Sequence, residues 1–362
     1  APGVIATSLR WLVDPSGPLW IRPTLDRALL TWIARFALAC RQPAFQRGLE
    51  ALQRAAALAG PAFDALAARG VEFEQHDQPL LFPAFDRAEL GHLWGMVDEL
   101  YQAGSRQQLQ RAGPSELREL EPALGESILG GVIAHGERRV RPERFTAAVR
   151  DSLVARGTEV REHAAVTRLT REGHQWRADG PAEARRADAV VIAGGVASAQ
   201  LLSPHGIQLP IAAAKGYSRT CARAPSGPRH ALYLERPKVA ISVFDAGVRL
   251  SGTLELGARD LDLSNRRLEA ITAAAQRALP DWRISPRRRD WAGMRSLSPD
   301  GLPYIGAVPG LPGVHLATAH GTLGITLAPL TGELLAGMLL GGARDELLSA
   351  FDPARAIRGG QQ

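Results

Sequence analysis

The 362-residue chain is too long for one ordinary compact domain and suggests about two, and its 45% hydrophobic and 22% charged residues are the balance of a globular protein that buries its own core. The net charge of +6 comes almost wholly from arginine scattered among acids; the densest run, Arg287-Arg288-Arg289, has no interleaved aromatics and reads as a solvated loop, which argues against nucleic acid and leaves contact with anionic lipid open. Cys40 and Cys221 form no CxxC pair, which excludes a disulfide framework and suits a reducing cytoplasm.

Ala1-Pro2-Gly3 reads as a start in mid-fold, without the order of charge, apolar run and small residues that marks a signal peptide. From Thr24 to about Gly70 apolar residues recur at helical spacing, with breaks expected at Arg41-Gln42-Pro43 and at Gly60-Pro61. Val71 to Phe85 alternates and holds two prolines, so strand and loop are expected there. Asp86 caps a helix to about Tyr101, Pro114 opens a short helix through Leu120, and Pro142 opens one ending at Gly157. Glu159 to Leu169 reads as strand, and Ala187 to Ala193 as a buried parallel strand capped by Gly194-Gly195. Residues 213–256 alternate like an antiparallel sheet, turning at Asp245-Ala246-Gly247, and a helix follows from Arg266 to Leu279. Gly293 to Gly313 is rich in Gly and Pro and reads as loop with short strand. Val314 to Ala317 reads as a short buried strand, and a long helix opens at Gly321 and runs to about Leu340. The longest apolar runs are interrupted by Arg35 and Glu333 and fall short of the ~18 residues of a membrane span. The fold class is α/β, with an antiparallel sheet in a second domain.

Three local patterns carry chemistry. Val191-Ile192-Ala193-Gly194-Gly195 places glycines after a strand, where a tight turn and a nucleotide contact are equally good readings. Gly293-Met294-Arg295 through Pro299-Asp300-Gly301 holds an arginine among turn residues. Its planar fork suits a carboxylate, and an ordinary surface ion pair is the competing reading. Ala319-His320-Gly321-Thr322-Leu323-Gly324 joins a strand to a long helix whose first N–H groups suit an anion. His320 has no second His or carboxylate spaced to make a metal site with it.

In this order, together with Lys215-Gly216-Tyr217-Ser218 and Gly252-Thr253-Leu254-Glu255, the patterns resemble the FAD-dependent D-amino-acid dehydrogenase small subunits, within the group that holds glycine, sarcosine and D-amino-acid oxidases. The resemblance covers essentially the whole chain, with one departure: the family's opening strand, Gly-x-Gly-x-x-Gly turn and helix have no counterpart here. Residues 1–23 are therefore expected to follow a missing FAD-binding unit.

The resemblance implies a Rossmann-like FAD domain, incomplete here, over 131–212 and 291–345, a substrate domain over 24–130 and 213–290, and a tail over 346–362. It implies non-covalent FAD, contacted by Val166, Ala193, Gly194, Gly195, Gly293, His320, Gly321, Thr322, Leu323 and Gly324, with no metal. Arg295 matches the position that binds the carboxylate of a D-amino acid. Tyr217 and Tyr233 lie where the family places substrate-domain aromatics, a core role being equally open for each. The implied reaction is oxidative deamination to a 2-oxo acid and ammonia, with electrons passed to a quinone or electron-transfer chain at the inner face of the cytoplasmic membrane. The alternatives are an oxygen-using amine oxidase and a truncated, non-catalytic fragment.

Overall fold

The computed structural model describes residues 17–285, 288–341 and 345–357. A short strand, β1 (Leu19–Ile21), leads into helices α1 (Arg27–Ala39) and α2 (Gln42–Ala68). The break at residues 41–43 is present, but none occurs at Gly60-Pro61: α2 runs straight through both. Ala51, Ala55, Ala59 and Ala62 form its buried stripe, while Pro61 lies on the solvent side. Packing of that stripe outweighs the one backbone hydrogen bond proline removes.

Next come β2 (Gln75–Asp77), β3 (Leu80–Ala84), α3 (Arg87–Gln102), β4 (Leu109–Ala112), α4 (Pro114–Leu120), β5 (Gly130–Ala134), β6 (Arg138–Val140) and α5 (Pro142–Ala155). The Asp86 side chain accepts from the Glu89 N–H, as its place before α3 predicts. The expected strand over 159–169 forms only from its end, as β7 (Arg168–Glu172), which pairs with β8 (Gln175–Asp179) and through it with β9 (Arg185–Ala187). The expected strand over 187–193 shortens to β10 (Val190–Ile192), because Ala187 belongs to β9; Val191 is exposed where burial was expected.

After the short helix α6 (Ser198–Leu202) come β11 (Ala212–Cys221), β12 (Ala231–Leu234), β13 (Val239–Phe244), β14 (Gly247–Leu256), α7 (Asn265–Ala278) and β15 (Arg288–Leu297). The expected solvated loop over Arg287–Arg289 and the loop around Gly293-Met294-Arg295 are both corrected by β15, a ten-residue strand; Arg287 itself lies outside the described residues. Full-length pairing with β11 draws this glycine-containing stretch into the sheet. β16 (Tyr304–Ala307), β17 (Val314–Thr318), α8 (Gly324–Leu339) and α9 (Leu347–Phe351) complete the order. Within the expected tail, α9 is therefore ordered structure and buries Leu347, Leu348 and Phe351.

The large sheet has nine strands, in the order β15-β11-β14-β13-β12-β3-β5-β4 with β1 added parallel to β14. One face carries Leu81, Leu232, Ile241 and Leu250, which pack on Leu268, Ile271, Ala275 and Ala278 at helical spacing along α7. The smaller sheet, β10-β17-β16, pairs β10 and β17 in parallel and is the Rossmann-like layer. α2 packs on α8 and α9 through its alanine stripe against Leu327, Leu330, Leu334, Leu348 and Phe351. Among the described residues no helix is long and apolar enough to cross a membrane.

Candidate active site

Side chains alternate across a strand, so register decides which residues share a face. β11 and β15 pair Ala214 with Arg295, Gly216 with Gly293 and Ser218 with Trp291. Ser218 then pairs with Ser251, Ser251 with Ala240, and Ala240 with Tyr233, which stacks beside Phe82 at 5.7 Å between ring centroids. These residues occupy the face opposite α7, which stays half open. Arg295 is partly buried there, yet among the described residues no carboxylate pairs with it and no hydrogen bond holds its guanidinium. Burial pulls its pKa down and the nearby Tyr233 works against that, so it remains a cation. Burial, with Glu235 adding to it against the pull of Arg295, pushes the Tyr233 hydroxyl up to about 12, so it stays a donor near neutral pH.

Tyr217 is on the other face. It is 1% exposed, and its hydroxyl donates to Glu255 Oε2 at 2.7 Å. Lys215 Nζ, on the same face, donates to Asp260 Oδ1 at 3.0 Å. The structure therefore brings Tyr233 to Arg295 and keeps Tyr217 away from it.

The glycine turns meet at the carboxyl ends of β10 and β17, where open α/β sheets bind ligands. Ala193 and Gly194 are exposed after β10, and Gly195 has a φ of +57° that favours glycine. Thr318, ending β17, donates to the Gly195 carbonyl at 2.9 Å, and Ser198 Oγ donates to Thr318 Oγ1. The chain then turns through Ala319 into His320, which bridges to Leu297, and the Gly321 N–H donates to the Ser296 carbonyl at 3.0 Å. Arg295 is thus tied to the glycine turns by the residues next to it. Burial pushes His320 down to about 4, so it is neutral, and its Nε2 lies 3.0 Å from Thr331 Oγ1.

The helix expected from Gly321 begins at Gly324 instead. The N–H groups of Gly321 and Leu323 already bond Ser296 and His320, which leaves exposed Thr322 at the turn. Gly293 makes room for Trp291: a Cβ there would lie 2.0 Å from the indole ring. Val166 lines a separate cavity of about 260 Å³ with Glu159, Arg161 and Arg185, and none of the other candidate residues lines it.

Sequence reasoning did not single out Ser218, Ser251, Trp291 or Phe82 as site residues, because only the register places them on the face that carries Arg295. It also missed that Arg355 donates to both oxygens of Asp300, at 2.8 and 3.2 Å, and to the Leu302 carbonyl at 2.7 Å. Asp300 therefore staples its turn. One cluster of metal-type donors exists among the described residues, Glu74, His76 and Asp245, but Arg141 Nη1 already pairs with Glu74 Oε2 at 3.1 Å.

Exposed Ala193 and Gly194 after β10 and exposed Thr322 before α8 leave backbone open to a cofactor at the carboxyl ends of these strands. A phosphate-binding Gly-x-Gly-x-x-Gly turn is absent from the sequence. A family model described as FAD dependent oxidoreductase (DAO) matches residues 16–338. The chain is 31% identical over 352 residues to a Xylella fastidiosa (strain 9a5c) protein named D-amino acid dehydrogenase, covering 94% of this chain and 79% of that one. A protein of the same name from Xanthobacter autotrophicus is 30% identical, with coverage of 95% and 83%. Glycine oxidase from Geobacillus kaustophilus superposes with a TM-score of 0.73 at 24% identity, covering 84% of this chain and 82% of that one. Iminodiacetate oxidase from Chelativorans sp. BNC1 does so at 0.75 and 21%, covering 98% and 97%. At such identities the two structures speak for the fold alone. The family match and the relatives at 30% identity across nearly all of the sequence make the chain a member of the FAD dependent oxidoreductases of the DAO family, with FAD as its cofactor.

Proposed function

We propose that this oxidoreductase deaminates D-amino acids, holding the substrate carboxylate on Arg295 and passing electrons to an acceptor other than oxygen, such as a quinone. The observation that carries the reading is the partly buried Arg295 on an open sheet face with no carboxylate beside it among the described residues. Burial without a partner is costly for a cation, and a bound carboxylate relieves that cost through two charge-assisted hydrogen bonds. The Tyr233 hydroxyl stands on the same face as a further donor. Bound FAD supplies the two-electron sink that takes the hydride from Cα. The resulting imine takes up water and releases a 2-oxo acid and ammonia. Neutral His320, held by Thr331, adds no charge to the site. The names of the relatives support the D-amino acid donor. In this reading the substrate unit is 24–130 with 213–290 and the cofactor unit 131–212 with 291–345, save that β5 and β15 straddle these bounds and belong to the large sheet.

Arg295→Met should raise the apparent KM for a D-amino acid by at least ~100-fold while the circular dichroism spectrum stays unchanged. An unchanged KM would remove the carboxylate assignment. The sequence pattern leaves a second reading, an oxygen-using amine oxidase. Oxygen consumption matching substrate turnover, without need of a dye acceptor, would establish it.

A further inference from the structure

Gly216 lies on β11 directly opposite Gly293 of β15, on the open face. It is absent from the residues with positive φ, so its backbone imposes no demand for glycine. The demand is for space. A Cβ at Gly216 would sit 1.6 Å from Arg295 Nη1, 2.5 Å from Cζ and 2.8 Å from Nη2. The guanidinium, Nη1 foremost, therefore occupies the space over the bare backbone of β11. With no acid and no hydrogen bond to aim it among the described residues, this surface sets its height above the sheet. On β15 itself Trp291 folds over Gly293, so the two facing glycines make one bare strip with a cation over one half and an indole over the other.

We infer that Gly216 is the positioning residue for Arg295: it seats the guanidinium against the sheet and thereby fixes where a substrate carboxylate binds. This rests on the carboxylate reading of Arg295. The group a Cβ would strike is the far end of a flexible side chain, so alanine at this position displaces the guanidinium and leaves the strand in place. The charge survives and its geometry is lost, and bidentate recognition depends on geometry.

The test uses the full chain incubated with FAD, and calorimetric affinities for benzoate and for benzamide, which differ in the carboxylate. The wild type should prefer benzoate by about ten-fold or more, and Arg295→Met should abolish that preference. Gly216→Ala should reduce the preference to about three-fold or less with an unchanged melting curve. In an Arg295→Lys background, whose slimmer head needs no seat, Gly216→Ala should change it little. If Gly216→Ala keeps the full preference while Arg295→Met abolishes it, the positioning role is overturned and the carboxylate reading stands. If the wild type shows no preference, both fall. Should Gly216→Ala fail to fold, the double variant with Arg295→Lys decides. Recovery of the fold identifies the guanidinium clash and upholds the role, whereas continued unfolding shows that the glycine serves the backbone and overturns it.

Discussion

A tyrosine's worth depends on which side of the strand it faces. Tyr217, buried, and Tyr233, partly buried, both have raised pKa values, burial being the largest cause for each. Tyr217 satisfies Glu255 inside the sheet's packed side, so Tyr217→Phe leaves a buried carboxylate oxygen without its donor. It should cost about 1–3 kcal/mol in chemical denaturation and leave benzoate affinity unchanged. Tyr233→Phe should do the reverse, weakening benzoate several-fold with little change in stability. Equal effects of the two variants on benzoate would contradict the separation of the faces. The sequence offers both residues on equal terms, because a two-residue period assigns faces only once the register is known. That register includes a shift at Gly216/Tyr217 in the β11–β14 pairing, which no local pattern announces.

At the level of elements, the staple from Arg355 to Asp300 holds the turn between β15 and β16. Arg355 also lies over the Tyr304 ring, 4.5 Å from its centroid. Asp300→Asn exchanges a charge-assisted pair for a neutral one and should lower stability by about 1–2 kcal/mol. It should also speed protease cleavage between residues 299 and 303; cleavage no faster than in the wild type would show that other contacts hold the turn. Elements with local signals were legible in the sequence: the Asp86 cap, the prolines opening α4 and α5, and the alternation of β13 and β14. Elements decided by distant partners were not. β15 contains a glycine, Gly293, in a stretch that reads as loop, yet ten cross-strand pairs with β11 make it strand. Likewise, Pro61 reads as a break, yet the alanine stripe of α2 packs on α8 regardless.

For the whole molecule, Glu143 joins α5 to the large sheet by accepting from Arg249 of β14 at 2.6 Å and from Arg141 at 2.9 Å. Burial pushes its carboxyl up, but the hydrogen bonds from Arg249 and Arg141 prevail and hold it at about 2, below the ordinary 4.5. The unfolded chain takes up this proton near pH 4.5 and the folded chain only near 2. The stabilisation is therefore complete above pH 4.5 and is lost as pH falls toward 2. Melting temperatures of the wild type and Glu143→Gln should differ at about pH 6 and converge toward about pH 2; a constant gap would remove Glu143 from the acid response.

The contact between Asp300 and Arg355 spans 55 residues and also sets an order of events during biosynthesis. A ribosome delivers Arg295 and its turn well before it delivers the arginine that fastens that turn. Until Arg355 has cleared the exit tunnel, the nascent chain presents Arg295 on a strand whose following turn is unfastened, so that turn is secured only after most of the large sheet has been made. Stalling synthesis between residues 302 and 355 would give a nascent protein with most of that sheet already made and the turn after β15 still unfastened.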